Sequence, residues 1–222
     1  MRMKSSRRLR DGGFTLIEIM VVIAIIASLI GAGSLMLNIA QKKRMIADSQ
    51  GRYNGLGAAL EQIRSADQLG RYPPSQISKL IVAGFDGAKF GGQPNATNVG
   101  NEALYVVFRL PGMSVMPAGV DAESALGNTD DDKALTVVGK LQKPDLFEYL
   151  DAWGNPLVYF SASDYKDPSK VEQYVLGNGT SVKVAPLRNE KTGEFVRPDS
   201  FQLFSMGADQ QPNTDDDLMY GM

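Results

Sequence analysis

The longest apolar segment of the chain lies near its beginning. None of the 19 residues from Ile19 to Leu37 is charged. As an α-helix this segment is about 28 Å long, close to the roughly 30 Å thickness of the hydrocarbon core of a bilayer. One acid, Glu18, stands at its edge, where a carboxylate near hydrocarbon is costly and calls for a partner. We therefore predict a transmembrane helix over residues 14–37.

A second apolar pattern follows without a break. Its members recur at intervals of three, four or seven residues, which places them on one helical face: Ile46, Tyr53, Leu56, Leu60 and Ile63. We expect the helix to continue over residues 38–70 as an amphipathic segment whose apolar face packs on a folded body. The helix should end near Gly70, because Pro73 and Pro74 cannot continue it.

The remaining residues, 71–222, are expected to form one globular domain. A short helix is predicted over Ser75–Val82, and the glycine-rich Gly84–Gly100 is predicted to be a long loop. Short apolar runs then predict strands at Ala103–Leu110, Leu135–Val138, Leu157–Ser161, Glu172–Leu176, Ser181–Leu187 and Phe201–Met206. Gly177-Asn178-Gly179 lies between two of these runs and is typical of a hairpin turn. A long helix followed by an antiparallel sheet is an α+β architecture.

Composition and charge exclude several classes of function. The chain of 222 residues has no Cys and no His, so it lacks thiolate sites and the commonest general base. Residues 1–13 hold five Lys or Arg and one Asp, whereas the remainder holds 18 Lys or Arg and 24 Asp or Glu. The basic start predicts a cytoplasmic N-terminus and a C-terminal body in the periplasm or outside. The acidic remainder argues against a nucleic-acid partner.

Three interpretations of the N-terminal segment compete. A cleaved secretory signal fits poorly, because the apolar run is long and no small-x-small site follows it before Lys42. A plain single-pass anchor explains the length but neither Glu18 nor the Gly13-Phe14 junction. The third interpretation is a signal that is cut on the cytoplasmic side, so that the apolar run stays on the mature protein. The ten residues Gly13–Val22, GFTLIEIMVV, closely resemble the prepilin signature of type IV pilins and type II secretion pseudopilins.

That resemblance implies specific processing and assembly. In this family a membrane aspartyl peptidase, the prepilin peptidase, removes the leader, here residues 1–13, and the new first residue is N-methylated. Cleavage between Gly13 and Phe14 would leave Phe14 first and Glu18 fifth. Glu18 could then pair with the Phe14 amine of a neighbouring subunit. Because an unpaired charge in a low-dielectric bundle is far worse than a paired one, the pair would set register more than it adds stability.

Two further segments resemble major pseudopilins of type II secretion. Gly70-Arg71-Tyr72-Pro73 is similar to the element that ends the long helix in that family, and Asp151–Pro156, DAWGNP, is similar to its Asp-x-Trp-Gly-Asn-Pro element. We expect Trp153, the single Trp, to be an aromatic anchor beside a turn rather than a binding residue.

The C-terminal acids form the strongest candidate metal site. Carboxylates at Asp209 and at Asp215, Asp216 and Asp217 suit Ca²⁺, which takes 6–8 oxygen ligands, although the spacing is not an EF-hand. The segment resembles the C-terminal calcium loop of major pseudopilins. By that resemblance Asp209 and Asp216 would be ligands, with Asp215 and Asp217 as register alternatives and Ser205 helping to complete the shell. The alternative is a solvated acidic tail. The pentapeptide Asn128–Asp132 repeats Asn213–Asp217, and there a solvated loop is preferred to a second metal site.

The sequence as a whole predicts a pilin-like α+β protein. The leading hypothesis is a structural subunit of a type II secretion pseudopilus. It would polymerise with itself and with other pseudopilins, would be drawn from the bacterial inner membrane by an assembly platform, and would keep its C-terminal domain in the periplasm. The rival is a pilin or minor pilin of a type IV pilus. A calcium-dependent surface module on a plain anchor is a third class. No nucleophile or catalytic motif indicates an enzyme.

Overall fold

The structure, a computed structural model, describes residues 13–65, 69–82, 85–88, 95–120, 123–133, 145–165, 167 and 170–221. It is an α+β, pilin-like fold with a long N-terminal helix and an antiparallel β region in the C-terminal part. The chain divides into two compact units, one up to Lys43 and the other from Arg44 to Met222.

The long helix, α1, spans Leu16–Ser65. In the second unit its predicted apolar face is confirmed, since Tyr53, Leu56, Leu60 and Ile63 are all buried. Gly55 serves close packing, because a Cβ there would lie 1.9 Å from the carbonyl oxygen of Ala118. The helix has ended by Leu69 and Gly70, which lie in a turn and a bend.

The segment after α1 differs from the prediction in two places. The predicted short helix at Ser75–Val82 is one 3₁₀ turn, Ile77–Lys79, which is followed by the paired strands β1 (Ile81–Val82) and β2 (Phe85–Asp86). Ile77 and Leu80 are buried as expected, but Ile81 is exposed. The described part of the predicted loop Gly84–Gly100 contains β2 and the beginning of the next helix, so the loop prediction is wrong at both ends.

The predicted strand Ala103–Leu110 is wrong, because this run forms helix α2, Val99–Val107. Every residue of α2 is buried, so no polar face interrupts the apolar run. A short continuous apolar run cannot be assigned to helix or strand from periodicity alone. The predicted strand Leu135–Val138 lies outside the described residues.

The β structure is antiparallel and built from short strands. Its pairs are β3 (Leu126–Gly127) with β4 (Glu148–Tyr149), and β6 (Glu172–Val175) with β7 (Ser181–Val184). A three-stranded sheet has the order β5 (Val158–Ser161), β8 (Phe201–Ser205), β9 (Leu218–Met219). Strands β5 to β8 confirm four of the predicted runs, and the turn at Gly177-Asn178-Gly179 joins β6 to β7.

The three-stranded sheet separates two apolar clusters. Tyr159, Phe201 and Leu203 belong to the cluster that contains the buried residues of α1 and α2. Phe160 and Phe204 belong to the other cluster, with Tyr174, Leu176 and Val184 of the β6–β7 hairpin region. Because β5 and β8 are buried on both faces, their sequences are mostly apolar and do not alternate regularly between apolar and polar residues.

Candidate functional site

The N-terminus of α1 is closed by a reciprocal pair of side chains. The Glu18 carboxylate, through Oε2, accepts hydrogen bonds from the backbone N–H of Thr15 at 2.7 Å and from its hydroxyl at 2.8 Å. The Glu18 N–H in turn donates to Thr15 Oγ1 at 3.3 Å. This is a capping box, in which a Thr and the Glu three residues later satisfy free donors at the beginning of a helix. Glu18 therefore has a partner within its own chain.

The first half of α1 exposes its apolar side chains. Phe14 is 84% exposed, and the large apolar residues from Leu16 to Ile39 are all at least 47% exposed. Within the described residues, the segment Leu16–Arg64 contains the one helix that is long and apolar enough to cross a membrane. A helix that is apolar on every side requires a surrounding of lipid or of other apolar helices.

The predicted calcium ligands Asp209 and Asp216 lie close together in the C-terminal loop. Asp216 Oδ2 accepts from the N–H groups of Ala208 at 2.7 Å and Asp209 at 3.1 Å, and Oδ1 accepts from the Thr214 hydroxyl at 2.8 Å. Burial disfavours the charged form of Asp216, but these hydrogen bonds outweigh it and lower the pKa. Gly207 permits this approach, because it has a φ of +67° and a Cβ there would lie 2.6 Å from Asp216 Oδ2.

The other three predicted residues behave differently. Asp217 Oδ2 accepts from the Asn213 N–H at 2.8 Å, whereas its Oδ1 is buried without a hydrogen-bond partner among the described residues. Burial, together with the charges of Asp216 and Asp209, raises the pKa of Asp217 to about 6. Asp215 is exposed. Ser205 is fully buried and its hydroxyl donates to Asp151 Oδ2 at 2.7 Å, so its oxygen is already engaged away from the acids.

The Asp151–Pro156 element is a tightly bonded turn. Asp151 Oδ1 accepts from the N–H groups of Trp153 and Asn155, both at 2.9 Å. From α1, Arg52 donates to the Asp151 carbonyl at 2.7 Å, and the hydroxyl of Ser49 accepts from the Ala152 N–H at 2.9 Å. Trp153 is half-buried and, among the described residues, is in neither apolar cluster, so its role as an aromatic anchor stays a prediction. The side chain that organises this turn is Asp151.

The second acidic pentapeptide, Asn128–Asp132, is not the solvated loop that was expected. Asp132 is 6% exposed and Asp130 is half-buried. The Asn128 side chain closes the loop, since it donates to the Asp132 carbonyl at 2.7 Å and accepts from the Asp132 N–H at 3.1 Å. Within the described residues, the one set of three carboxylates whose oxygens lie within 4.8 Å of one another is Glu102, Asp130 and Glu148. The C-terminal acids do not form such a set.

Among protein families, the model described as the prokaryotic N-terminal methylation motif matches the chain over residues 8–34. The chain carries a type IV pilin-like prepilin signal. No curated protein and no solved structure shows significant similarity to the chain. The prepilin signal includes Gly13, Phe14 and Glu18, and it confirms the resemblance that Gly13–Val22 indicated.

The prepilin signal bears on the class of protein and on its membrane anchoring. The match covers the N-terminal signal alone, residues 8–34, and it fits the signal of type IV pilin-like proteins and pseudopilins, which are structural proteins of pilus-like filaments. Together with the apolar first half of α1, the signal supports membrane anchoring through this helix. Sequence reasoning missed the capping box beside the prepilin signal, although Thr15-x-x-Glu18 before an apolar run is a recognisable sign of a helix start.

Proposed function

We propose that this protein is a structural subunit of a type II secretion pseudopilus, assembled from the inner membrane to drive protein export. The observation that supports it most is the prepilin signal at the beginning of α1. The exposed apolar half of the helix needs lipid before assembly and neighbouring subunits after it. The C-terminal domain would stand in the periplasm, and the prepilin peptidase and the assembly platform would be the membrane partners. The protein would have no enzymatic role.

The test is the extracellular protein profile of a strain that lacks this chain, with the wild-type gene restored as the control. Specific exoproteins should disappear outside and accumulate in the periplasm. An unchanged profile would reject the secretion function and favour a pilin or minor pilin of a type IV pilus, which the same prepilin signal also fits.

Processing is tested separately by intact mass after co-expression with a prepilin peptidase. The expected product begins at a methylated Phe14. An uncut chain would instead favour a plain anchor that carries a calcium-dependent surface module.

We infer that Glu18 exchanges its bonds with Thr15 for the Phe14 amine of a neighbouring subunit when filaments form. Both the carboxylate and the amine are at the membrane-facing end of α1, where an unpaired charge is costly. Replacing Glu18 should therefore impair assembly through loss of charge, not through loss of the cap.

Three variants separate these causes. Glu18→Ala and Glu18→Gln should be cleaved but assemble poorly, because neither has the negative charge, whereas Thr15→Ala removes the capping hydroxyl and should still assemble. Filament yield after shearing and cleavage by intact mass are the measurements. Normal assembly of Glu18→Gln would reject the charge pair, and equal failure of Thr15→Ala would assign the effect to the cap.

We further propose that the C-terminal loop binds Ca²⁺ through Asp216, Asp209 and Asp217. The donors are hard oxygens, and the buried Asp217 Oδ1 has no hydrogen-bond partner among the described residues, which suits a cation. Burial, and to a smaller extent the charges of Asp216 and Asp209, raises the pKa of Asp217, and bound calcium would offset both effects and hold the loop. Ser205 is not proposed as a ligand, because its hydroxyl serves Asp151.

The test compares thermal unfolding with calcium and with a chelator. Asp216→Asn should show a smaller calcium-dependent stabilisation than the wild type, whereas Asp199→Asn, at an exposed site outside the loop, should keep all of it. Equal calcium dependence in both variants would reject the proposed loop site.

A further inference from the structure

Four carboxylates from three parts of the chain meet in the second unit. Glu102 comes from α2, Asp130 and Asp132 from the loop after β3, and Glu148 from β4. The oxygens of Glu102, Asp130 and Glu148 lie within 4.8 Å of one another. Glu102 and Glu148 are fully buried, and Asp132 is 6% exposed. The Asp132 carboxyl interacts with those of Glu102 and Asp130, so it belongs to the same group, which is here called the acidic cluster.

The hydrogen-bond donors around the acidic cluster leave some of its oxygens without a partner. Asn95 donates to Asp130 Oδ2 at 2.8 Å and to Asp132 Oδ2 at 3.2 Å. Asn98 and the Thr129 N–H donate to the two oxygens of Glu148, at 3.2 and 2.9 Å. Asp130 Oδ1 and Asp132 Oδ1 are buried, and no described residue donates to either. Asp132 is therefore a nearly fully buried carboxylate with one oxygen that accepts no hydrogen bond from a described N–H or hydroxyl group, although its carboxyl interacts with that of Glu102.

Positive charge is also missing from the described surroundings. No Lys or Arg in the described ranges forms an ion pair with Asp130, Asp132 or Glu148. Burial, with the charges of Asp130 and Asp132, raises the pKa of Glu148 to about 8, and burial with the charge of Asp130 raises that of Asp132 to about 7. Two ionised carboxylates cannot hydrogen-bond to each other, so either protons or a cation must hold the acidic cluster together.

We propose that the acidic cluster is a second metal site, which binds a calcium ion through Glu102, Asp130, Asp132 and Glu148. Its donors are hard oxygens only, which Ca²⁺ prefers. Calcium–oxygen distances are about 2.3–2.6 Å, so two ligands on opposite sides of the ion are about 5 Å apart. The oxygens of the cluster are already drawn together to that separation. Mg²⁺ fits less well, because it needs shorter bonds and usually keeps several waters.

A calcium ion there would join three elements that the backbone leaves weakly connected. Strands β3 and β4 pair over two residues each, and α2 meets β4 through side chains such as Asn101, which bonds to the Tyr149 N–H and carbonyl. The ion would add direct bonds from α2 and the 128–132 loop to β4. The site is separate in sequence from the C-terminal loop, and this inference does not depend on the proposed secretion function.

The experiment is a calcium titration of the full mature chain in detergent micelles, after removal of metal with a chelator. Calcium chloride is added to about 5 mM, above the roughly 10⁻⁴–10⁻³ M range of extracellular calcium modules, and binding is followed by calorimetry. We expect two sites in the wild type, one in Glu148→Gln, and one in Asp216→Asn. The double variant should bind none. With chelator present, Glu148→Gln should be about as stable as the wild type, because the neutral amide can replace a carboxyl that burial keeps protonated and can still accept from the Thr129 N–H.

The outcomes for the two calcium sites are distinguishable. If the C-terminal loop does not bind calcium, the wild type has one site, which Asp216→Asn keeps and Glu148→Gln loses. If Glu148→Gln does not fold, Asp130→Asn, at the half-buried member of the cluster, decides the question. Wild-type stoichiometry in that variant, or loss of all binding in Asp216→Asn alone, overturns the proposal and leaves the cluster held by shared protons.

Discussion

Asp151 is a buried acid outside the proposed metal sites whose replacement is expected to destabilise the protein strongly. Its carboxylate is 1% exposed and accepts three hydrogen bonds, from the Ser205 hydroxyl and from the N–H groups of Trp153 and Asn155. Ser205 Oγ also accepts from the Gly207 N–H at 3.1 Å, at the beginning of the C-terminal loop. Asp151→Ala would leave all three donors without an acceptor.

The size of the effect follows from these bonds and from the cost of the buried charge. Hydrogen bonds to charged groups contribute about 1.5–3 kcal/mol each, so three of them set an upper limit of roughly 9 kcal/mol. Burial raises the pKa of Asp151, against the hydrogen bonds and the charge of Arg52, so removing the carboxylate recovers part of that cost. We expect a loss of about 3 kcal/mol for Asp151→Ala.

The matched variant Asp151→Asn should lose much less. The amide oxygen can keep the two backbone donors, and the amide N–H₂ can donate to Ser205 Oγ, which has two lone pairs. The Ser205 hydroxyl proton then lacks its acceptor, which corresponds to about 1 kcal/mol.

Unfolding of the full chain in detergent, followed by far-UV circular dichroism and by the fluorescence of Trp153, measures the difference. At about 2–4 °C per kcal/mol for a domain of this size, Asp151→Ala should lower Tm by roughly 6–12 °C and Asp151→Asn by roughly 2–4 °C. Asp199→Asn, at an exposed site, should lie within about 0.5 kcal/mol of the wild type. Equal effects of the Ala and Asn variants would refute the argument, because the Asn side chain keeps the geometry that Ala removes.

Two further predictions use the same unfolding assay. Gly55→Ala should destabilise the protein by about 1–3 kcal/mol because its Cβ meets the Ala118 carbonyl, whereas Gly51→Ala, with no atom within 4 Å, should gain up to about 1 kcal/mol; a gain in both would contradict the close packing. Burial raises the pKa of Glu172 to about 7, although the charge of Lys170 acts in the opposite direction. The contribution of Glu172 to stability is therefore fully present below the ordinary pKa of a Glu side chain and is lost as the pH rises through about 7. The stability of Glu172→Gln relative to the wild type should therefore rise between about pH 5 and about pH 8, by at most roughly 3 kcal/mol, and a constant difference would refute it.

The parts of the fold that the sequence predicts are those with one exposed and one buried side, or with a plain apolar run between turns. In α1 the polar residues between Leu56 and Ile63 reveal the period of the helix, because water contacts one face and the core the other. Strands β5 and β8 are found because turn residues bound their apolar runs. The prepilin signal is found because its residues are contiguous.

The same reasoning fails at α2, where burial on all sides removes the contrast on which the helical period depends. It also fails at Ser205. The hydroxyl stands near the acids in sequence, but β8 directs it to Asp151, whose position 54 residues earlier cannot be known before the sheet is formed.

The acidic cluster could not be predicted from the sequence for a related reason. In this domain, side chains as well as neighbouring strands form hydrogen bonds with buried backbone N–H and carbonyl groups. Strands β3 and β4 pair over only two residues each, and buried amide side chains bond to backbone groups beyond the ladder. Asn101 bonds to the Tyr149 N–H and to the carbonyls of Tyr149 and Leu157, and Asn98 accepts from the Val175 N–H. Such bonds have no sequence period, because one side chain replaces a stretch of ladder. Asn98 also donates to Glu148, so the residues that close the fold are those that hold a carboxylate in the cluster. A solvated loop was the natural prediction for Asn128–Asp132 taken alone, and only the tertiary fold places its acids against Glu102 and Glu148.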